Sequence, residues 1–237
     1  MLETKARNFV HHMRGMFDVA TLRQVRAHFD AVEHDRQTQV KNDTERQRLR
    51  IGASTDAFRA DPIWYDVWRN ASPTLIERMR PFTWLLYPVM IRHITEQAHL
   101  VPWHQDIGYV RRMARVHRQL VTCFVPLEYK PTEASSLEFA VGDFPEFEHV
   151  TMEDHGAGIN REFENTVSFP LDFGDALVFG DHTPHRTTRG PDGSVRRRSF
   201  EYRAVMPGDA LPGKDYFDIE AGEMVHVPLE QRREGQA

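Results

Sequence analysis

His104 and Asp106 stand two residues apart, and two further histidines, His182 and His185, follow an apolar run from Ala176 to Phe179. On an extended strand, residues i and i+2 project from one face, so an imidazole nitrogen and a carboxylate oxygen can aim at one point. Adding one more imidazole completes the two-histidine, one-carboxylate facial set that leaves open positions on non-haem iron(II). The third ligand must come from a distant strand. Gly174-Asp175 opens a turn, Ala176–Phe179 reads as a strand, and Gly180-Asp181-His182-Thr183-Pro184-His185 brings the chain round again. His182 falls in that turn, whereas His185 follows Pro184, where extended geometry resumes, and is preferred. A His-x-Asp pair alone is a weak signal, since most of the 13 histidines read as surface residues. Zinc also accepts His and Asp ligands, so spacing alone leaves the metal open.

A second constellation lies downstream, in Val195-Arg196-Arg197-Arg198-Ser199-Phe200-Glu201-Tyr202-Arg203. Strand alternation puts Arg197, Ser199, Glu201 and Arg203 on one face and Arg196, Arg198, Phe200 and Tyr202 on the other. The aromatic face suits packing against helices, which turns Arg197 and Ser199 inward beside the metal. A buried guanidinium is costly unless an anion pairs with it. Its planar fork matches a carboxylate, and a serine hydroxyl two residues on can add a further bond. A dicarboxylate that chelates a metal at one end and meets Arg197 at the other fits that geometry. Composition alone reads the arginine triplet as a solvated edge strand. Tyr109, Arg111, Arg112 and Arg115 follow the first metal segment. Facing inward, they would favour an anionic substrate such as a carboxylate, phosphate or CoA ester; facing outward, they form a basic loop.

These side chains need a frame. Asp18 precedes Leu22, Val25, Phe29 and Val32, whose spacing predicts an amphipathic helix with Asp18 as its N-cap. His34 to Arg50 is almost entirely polar and reads as an exposed helix or a loop. A second helical patch spans Pro62 to Arg69, with Trp64 and Trp68 on one face. A third begins at Ser72-Pro73, with Ser72 capping and Pro73 at the first helical position, and ends before Pro81. After Pro81 the texture turns aromatic and β-branched. Short runs at 83–94, 120–127, 137–141, 167–169, 176–179 and 199–205 are separated by Pro, Gly, Asp and Asn. Helices first and strands afterwards predict an α+β domain whose β part is a sandwich or barrel. The expected organisation is one domain: a mainly helical part at 1–82, a β core at 83–206 and a C-terminal extension at 207–237. The acidic interval 142–165 is long enough for a functional loop or lid.

The bulk numbers exclude some classes. A chain of 237 residues suits one sizeable domain. A formal charge of -5 argues against a nucleic-acid partner, which calls for a basic face. A single cysteine, Cys123, excludes an intrachain disulfide. No apolar run reaches membrane-spanning length and the polar N-terminus lacks a signal-peptide core, so a cytoplasmic setting is expected.

Several of these segments resemble one family. Val101 to Tyr109, reading VPWHQDIGY, is similar to the metal-binding strand of the phytanoyl-CoA dioxygenase family of Fe(II)/2-oxoglutarate oxygenases. Gly174 to Arg186, reading GDALVFGDHTPHR, resembles its second metal segment and puts His185 at the ligand position. Leu120 to Val141 resembles the intervening strand pair, with Ser136-Leu137-Glu138-Phe139 at the family's Gly/Ser-Leu-Glu strand. The likeness covers residues 83 to 206 and, more loosely, the N-terminal helix.

The resemblance implies a mainly β, double-stranded β-helix (jelly-roll, cupin-like) barrel with the N-terminal helices packed on its major sheet. It implies Fe(II), 2-oxoglutarate and O2, with 2-oxoglutarate decarboxylated to succinate and CO2 as a C–H bond of a small molecule is hydroxylated. His104, Asp106 and His185 would hold the iron. Family spacing places the 2-oxoglutarate arginine on Arg196, whereas matching the following strand places it on Arg197. The face argument and Ser199 select Arg197. Thr122, on the next strand, is a further candidate contact with the co-substrate. A carboxylate at Asp106 disfavours a halogenase, which needs a small residue there. The family's Pro-Gly-Ser-His motif reads Val141-Gly142-Asp143-Phe144 here, so substrate identity does not transfer. The rival readings are a cupin-like metal isomerase or hydrolase without 2-oxoglutarate, and a non-catalytic metal- or ligand-sensing barrel.

Overall fold

A computed structural model describes residues 7–38, 59–95, 100–108, 119–152 and 156–229. Its regular elements run β1 (Val10–Met13), α1 (Val19–Thr38), α2 (Asp66–Arg69), α3 (Pro73–Met79), β2 (Trp84–Leu86), β3 (Met90–Ile94), β4 (Val121–Pro126), β5 (Ser136–Ala140), β6 (Val150–Met152), β7 (Gly156–Gly158), β8 (Thr166–Ser168), β9 (Ala176–Gly180), β10 (His185–Thr188), β11 (Arg197–Val205), β12 (Lys214–Asp218) and β13 (Glu223–Val227). The major sheet has the order β1-β9-β4-β11-β2-β12-β13, with β3 also paired to β11. The minor sheet has the order β10-β5-β8, and β6 pairs with β7 as a separate ribbon. Neighbouring strands are antiparallel throughout these pairings. The architecture is a double-stranded β-helix.

Alternation along the central strands separates two cores. Val121, Cys123, Val125, Ala176, Val178, Phe200, Tyr202 and Ala204 project from the outer face onto Leu22, Val25, Phe29, Trp64 and Trp68. Phe124, Leu137, Phe139, Leu171, Leu177 and Phe179 fill the space between the sheets. Helix α1 starts as its sequence dictates, with the Asp18 carboxylate accepting from the Thr21 amide at 2.7 Å. Ser72 differs: α3 begins at Pro73, but the Ser72 side chain makes no cap hydrogen bond. The Pro62–Arg69 patch forms a 3-10 turn, Pro62–Tyr65, running into α2. No helix among the described residues is long and apolar enough to cross a membrane.

The sheet also reaches beyond residues 83–206. Strand β1, from the polar N-terminal stretch, pairs with β9 through Val10↔Phe179 and Met13↔Ala176. At the other end, β12 joins the edge at β2. The acidic interval packs on the outside of the minor sheet. There, Phe144, Phe147 and Phe163 surround Trp103, Ala140 and Ile159.

Candidate metal centre

Two histidines far apart in sequence become neighbours through sheet pairing. His104 and His185 exchange both backbone hydrogen bonds at 2.9 Å, forming an isolated antiparallel bridge at the edge of β10. Directly opposed residues project from one face, and the two rings lie with centroids 4.0 Å apart. Each ring is oriented from behind. His104 Nδ1 lies 2.9 Å from the Pro102 carbonyl and His185 Nδ1 lies 3.0 Å from the Thr183 carbonyl. A carbonyl can only accept, so Nδ1 carries the proton and Nε2 keeps its lone pair for a metal. Burial lowers both imidazole pKa values, which keeps the rings neutral and ready to ligate.

Asp106 completes the cluster by a route other than strand parity. Extended pairing stops at His104, and Asp106 opens a helical turn over 106–108. Gln105 drives the bend. Its amide donates to the carbonyls of Pro145 (2.8 Å) and His182 (2.6 Å), and its oxygen accepts from the Phe147 amide at 2.8 Å. The Ile107 amide then bonds the Asp181 carbonyl at 3.1 Å. With the chain turned this way, one ligand atom from each of His104, Asp106 and His185 lies within 4.8 Å of the others. Burial opposes the charged form of Asp106, but the Arg203 guanidinium, by charge and hydrogen bond, outweighs it and holds the carboxyl well below the usual carboxylate range. Arg203 Nη2 donates to Oδ1 at 2.7 Å, and the Thr122 hydroxyl donates to Oδ2. Thr122, the further candidate for a co-substrate contact, thus donates its hydroxyl to the Asp106 carboxylate.

Farther along the same inner face lie Arg197 and Ser199, 2% and 0% exposed. Arg197 Nη1 donates to the Ser136 carbonyl at 3.1 Å, and its Cζ sits 5.1 Å from the Phe124 ring centroid. Burial lowers its pKa to about 10, so it still enters the barrel as a cation. Its Nε and the Ser199 hydroxyl have no hydrogen-bond partner. Two buried, unsatisfied groups on one face of a strand are costly, and a carboxylate is an acceptor to which both can donate. Three ligand donors and this anion cradle fit a metal with a chelating dicarboxylate.

The remaining sequence candidates sort by placement. Arg196, the alternative arginine, is exposed and points away from the barrel interior. His182 stands in its turn outside the ligand cluster. Tyr109, Arg111, Arg112 and Arg115 lie outside the described residues. Sequence reasoning put Arg203 on the inner face without giving it a role, and it missed Gln105 altogether. Strand parity with Arg197 was the available signal for Arg203; nothing local marked Gln105, whose partners are distant in sequence.

The sequence profile of the phytanoyl-CoA dioxygenase (PhyH) family matches residues 10–198. The chain belongs to that family. Solved structures similar to this family member include the apo form of the non-heme monooxygenase ThoJ, at 13% identity and a TM-score of 0.65, covering 97% of this chain and 86% of that one. The non-heme α-ketoglutarate-dependent carbocyclase SnoK from nogalamycin biosynthesis has 13% identity and a TM-score of 0.57, covering 98% and 89%. The epimerase SnoN, solved with Fe3+, α-ketoglutarate and nogalamycin RO, has 17% identity and a TM-score of 0.52, covering 96% and 93%. At these identities the likeness shows the fold. No curated protein matches the chain by sequence.

Proposed function

We propose that this PhyH-family chain is an Fe(II)/2-oxoglutarate-dependent oxygenase acting on a small molecule, and that its reaction is hydroxylation of a C–H bond. The balance is substrate C–H plus O2 plus 2-oxoglutarate, giving substrate C–OH, succinate and CO2. One observation carries the reading: the buried His104, Asp106 and His185 cluster shares a barrel interior with the partly unsatisfied Arg197–Ser199 pair. A zinc or manganese isomerase, or a metal sensor, would need an anionic substrate or ligand of its own to satisfy that pair.

The roles follow from the chemistry of the side chains. His104 and His185 offer Nε2, and Asp106 offers a carboxylate oxygen. Arg197 binds the distal carboxylate of 2-oxoglutarate, with Ser199 as a second donor. The inner-face aromatics Phe124, Phe139 and Phe179 exclude water beside His185, whose ring stands 4.6 Å from Phe179 and 5.8 Å from Phe139, centroid to centroid. Bound iron with 2-oxoglutarate would supply the activation of O2. An epimerase and a carbocyclase share the fold, so the coarse activity stands apart from the hydroxylation outcome.

The test is anaerobic loading with Fe(II) and 2-oxoglutarate, then exposure to O2 with succinate measured. The oxygenase reading expects a visible charge-transfer band on loading and iron-dependent succinate release, both lost in His185→Ala. Stoichiometric metal binding with no 2-oxoglutarate binding would refute it in favour of the cupin-like or sensor reading.

A further inference from the structure

Both oxygens of the Asp106 carboxylate are engaged by protein donors. Oδ1 receives Nη2 of Arg203 at 2.7 Å, and Oδ2 receives the hydroxyl of Thr122. All three residues are buried, at 2%, 7% and 1% exposure. Arg203 and Thr122 are directly opposed across the β11–β4 pairing. The two donors therefore reach the carboxylate from adjacent strands of one sheet, and their separation is set by strand spacing.

We propose that Arg203 and Thr122 are positioning residues that clamp the Asp106 carboxylate so that it meets the metal in one fixed orientation. The inference rests on reading the cluster as the iron site. An aspartate carboxyl has a broad, soft terminal torsion, so without a clamp it can turn away from the ligand geometry. Each carboxylate oxygen has about two lone-pair directions; one donor on each oxygen fixes the plane of the group and leaves a lone pair for the metal. Turning the carboxylate would then cost a hydrogen bond, so the ligand is held ready before the metal arrives. The guanidinium also offsets a charge that burial opposes, which neither water nor a neutral donor could do as well in this interior. Lysine would supply the charge without the fixed planar fork.

The test uses Co(II) alone as the probe, titrated by calorimetry and by visible absorption into wild type, Arg203→Met, Arg203→Lys and Thr122→Val. The clamp expects Arg203→Met to weaken Co(II) binding by about 10–100-fold, the range for loss of an outer-sphere partner. It also expects a changed Co(II) spectrum, because the freed carboxylate alters the ligand geometry at the metal. Thr122→Val should move both readouts in the same direction by less, and Arg203→Lys should recover part of the affinity. A folded Arg203→Met with wild-type affinity and spectrum, whatever its melting temperature, overturns the clamp and leaves the iron site standing. Should Arg203→Met fail to fold, Thr122→Val decides, and an unchanged affinity and spectrum overturns the clamp. Wild-type protein that takes up no Co(II) overturns the iron-site reading and the clamp together.

Discussion

Replacing Arg197 with methionine separates what this residue does for folding from what it does for a ligand. In the protein alone its contacts are modest: one hydrogen bond to Ser136 at 3.1 Å, an ion pair with Glu201 stretched to 3.8 Å, and the Phe124 ring. Against these stands full burial, which drags its pKa down to about 10. Methionine matches the stem and removes a charge that folding disfavours, so unfolding free energy should change by only about 1 kcal/mol, one net hydrogen bond. Ligand binding should change far more. Two charge-assisted hydrogen bonds to a carboxylate, at about 1.5–3 kcal/mol each, amount to about 3–6 kcal/mol. At about 1.4 kcal/mol per factor of ten, that is roughly a hundredfold to ten-thousandfold in 2-oxoglutarate affinity. The assays are the KM for 2-oxoglutarate in succinate release and its Kd on Co(II)-loaded protein, beside urea unfolding. Arg196→Met, altering the exposed neighbour, is the control. A 2-oxoglutarate affinity within about threefold of wild type in Arg197→Met, or an equal loss in Arg196→Met, would refute the assignment of the anion cradle.

Gln105→Leu strands three backbone groups, those of Pro145, His182 and Phe147. It should cost about 2–4 kcal/mol in urea unfolding, at roughly 1 kcal/mol per hydrogen bond, and weaken metal uptake because the Asp106 turn loses its brace. Gly180→Ala places a Cβ 2.2 Å from the Arg7 carbonyl oxygen. Backbone must move, so destabilisation of about 1–3 kcal/mol is expected, read from the same unfolding curves. Burial lowers the pKa of both metal-side histidines, so metal affinity should stay level as pH falls through 6.5, the ordinary histidine value. Calorimetric Co(II) titrations on either side of that value check this, and a loss centred there would show that the rings titrate as exposed imidazoles do.

Much of the barrel was legible because period-two patterns survive in short strands. Phe200 and Tyr202 on one side and Arg197 and Ser199 on the other are separated by nothing more than parity. The amphipathic spacing of Leu22, Val25 and Phe29 likewise named the helix face that covers the sheet. What escaped depended on long-range partners. Strand β1 is Val-His-His-Met, too short and polar to signal a strand, and it exists because β9 offers an edge. The i, i+2 argument for His104 and Asp106 reached a true convergence through the wrong geometry. The chain leaves the strand after His104 because Gln105 finds acceptors in segments some 40 and 77 residues away. No local pattern encodes that bend. Thr122 shows the same limit: its place beside the site was readable, but the Asp106 carboxylate at the end of its hydroxyl was not.

Strand β11 explains why a helix-packing surface and a ligand-binding surface can be specified by nine residues. Its outer side chains, Phe200, Tyr202 and Ala204, are locked against Trp64 and Trp68, with ring centroids 5.6 Å apart for Phe200–Trp64 and 5.5 Å for Tyr202–Trp68. The Tyr202 hydroxyl donates to the Trp64 carbonyl. A slip of one residue would bury Ser199, Glu201 and Arg203 among those aromatics and push Phe200 and Tyr202 toward the metal cluster, so the alternative register is excluded by desolvation as much as by lost packing. Register fixed from the outside then sets spacing on the inside. Arg203 stands opposite Thr122 at the Asp106 carboxylate, and Arg197 lies six positions back along the same face, beside Ile94 of β3. The two arginines differ in surroundings rather than in chemistry. Arg203 has an aspartate within 2.7 Å, whereas Arg197 has Glu201 at 3.8 Å and, two residues along its face, a Ser199 hydroxyl with no hydrogen-bond partner. The first guanidinium is already matched to its carboxylate; in the function proposed above, the second is held ready for one that arrives with the co-substrate.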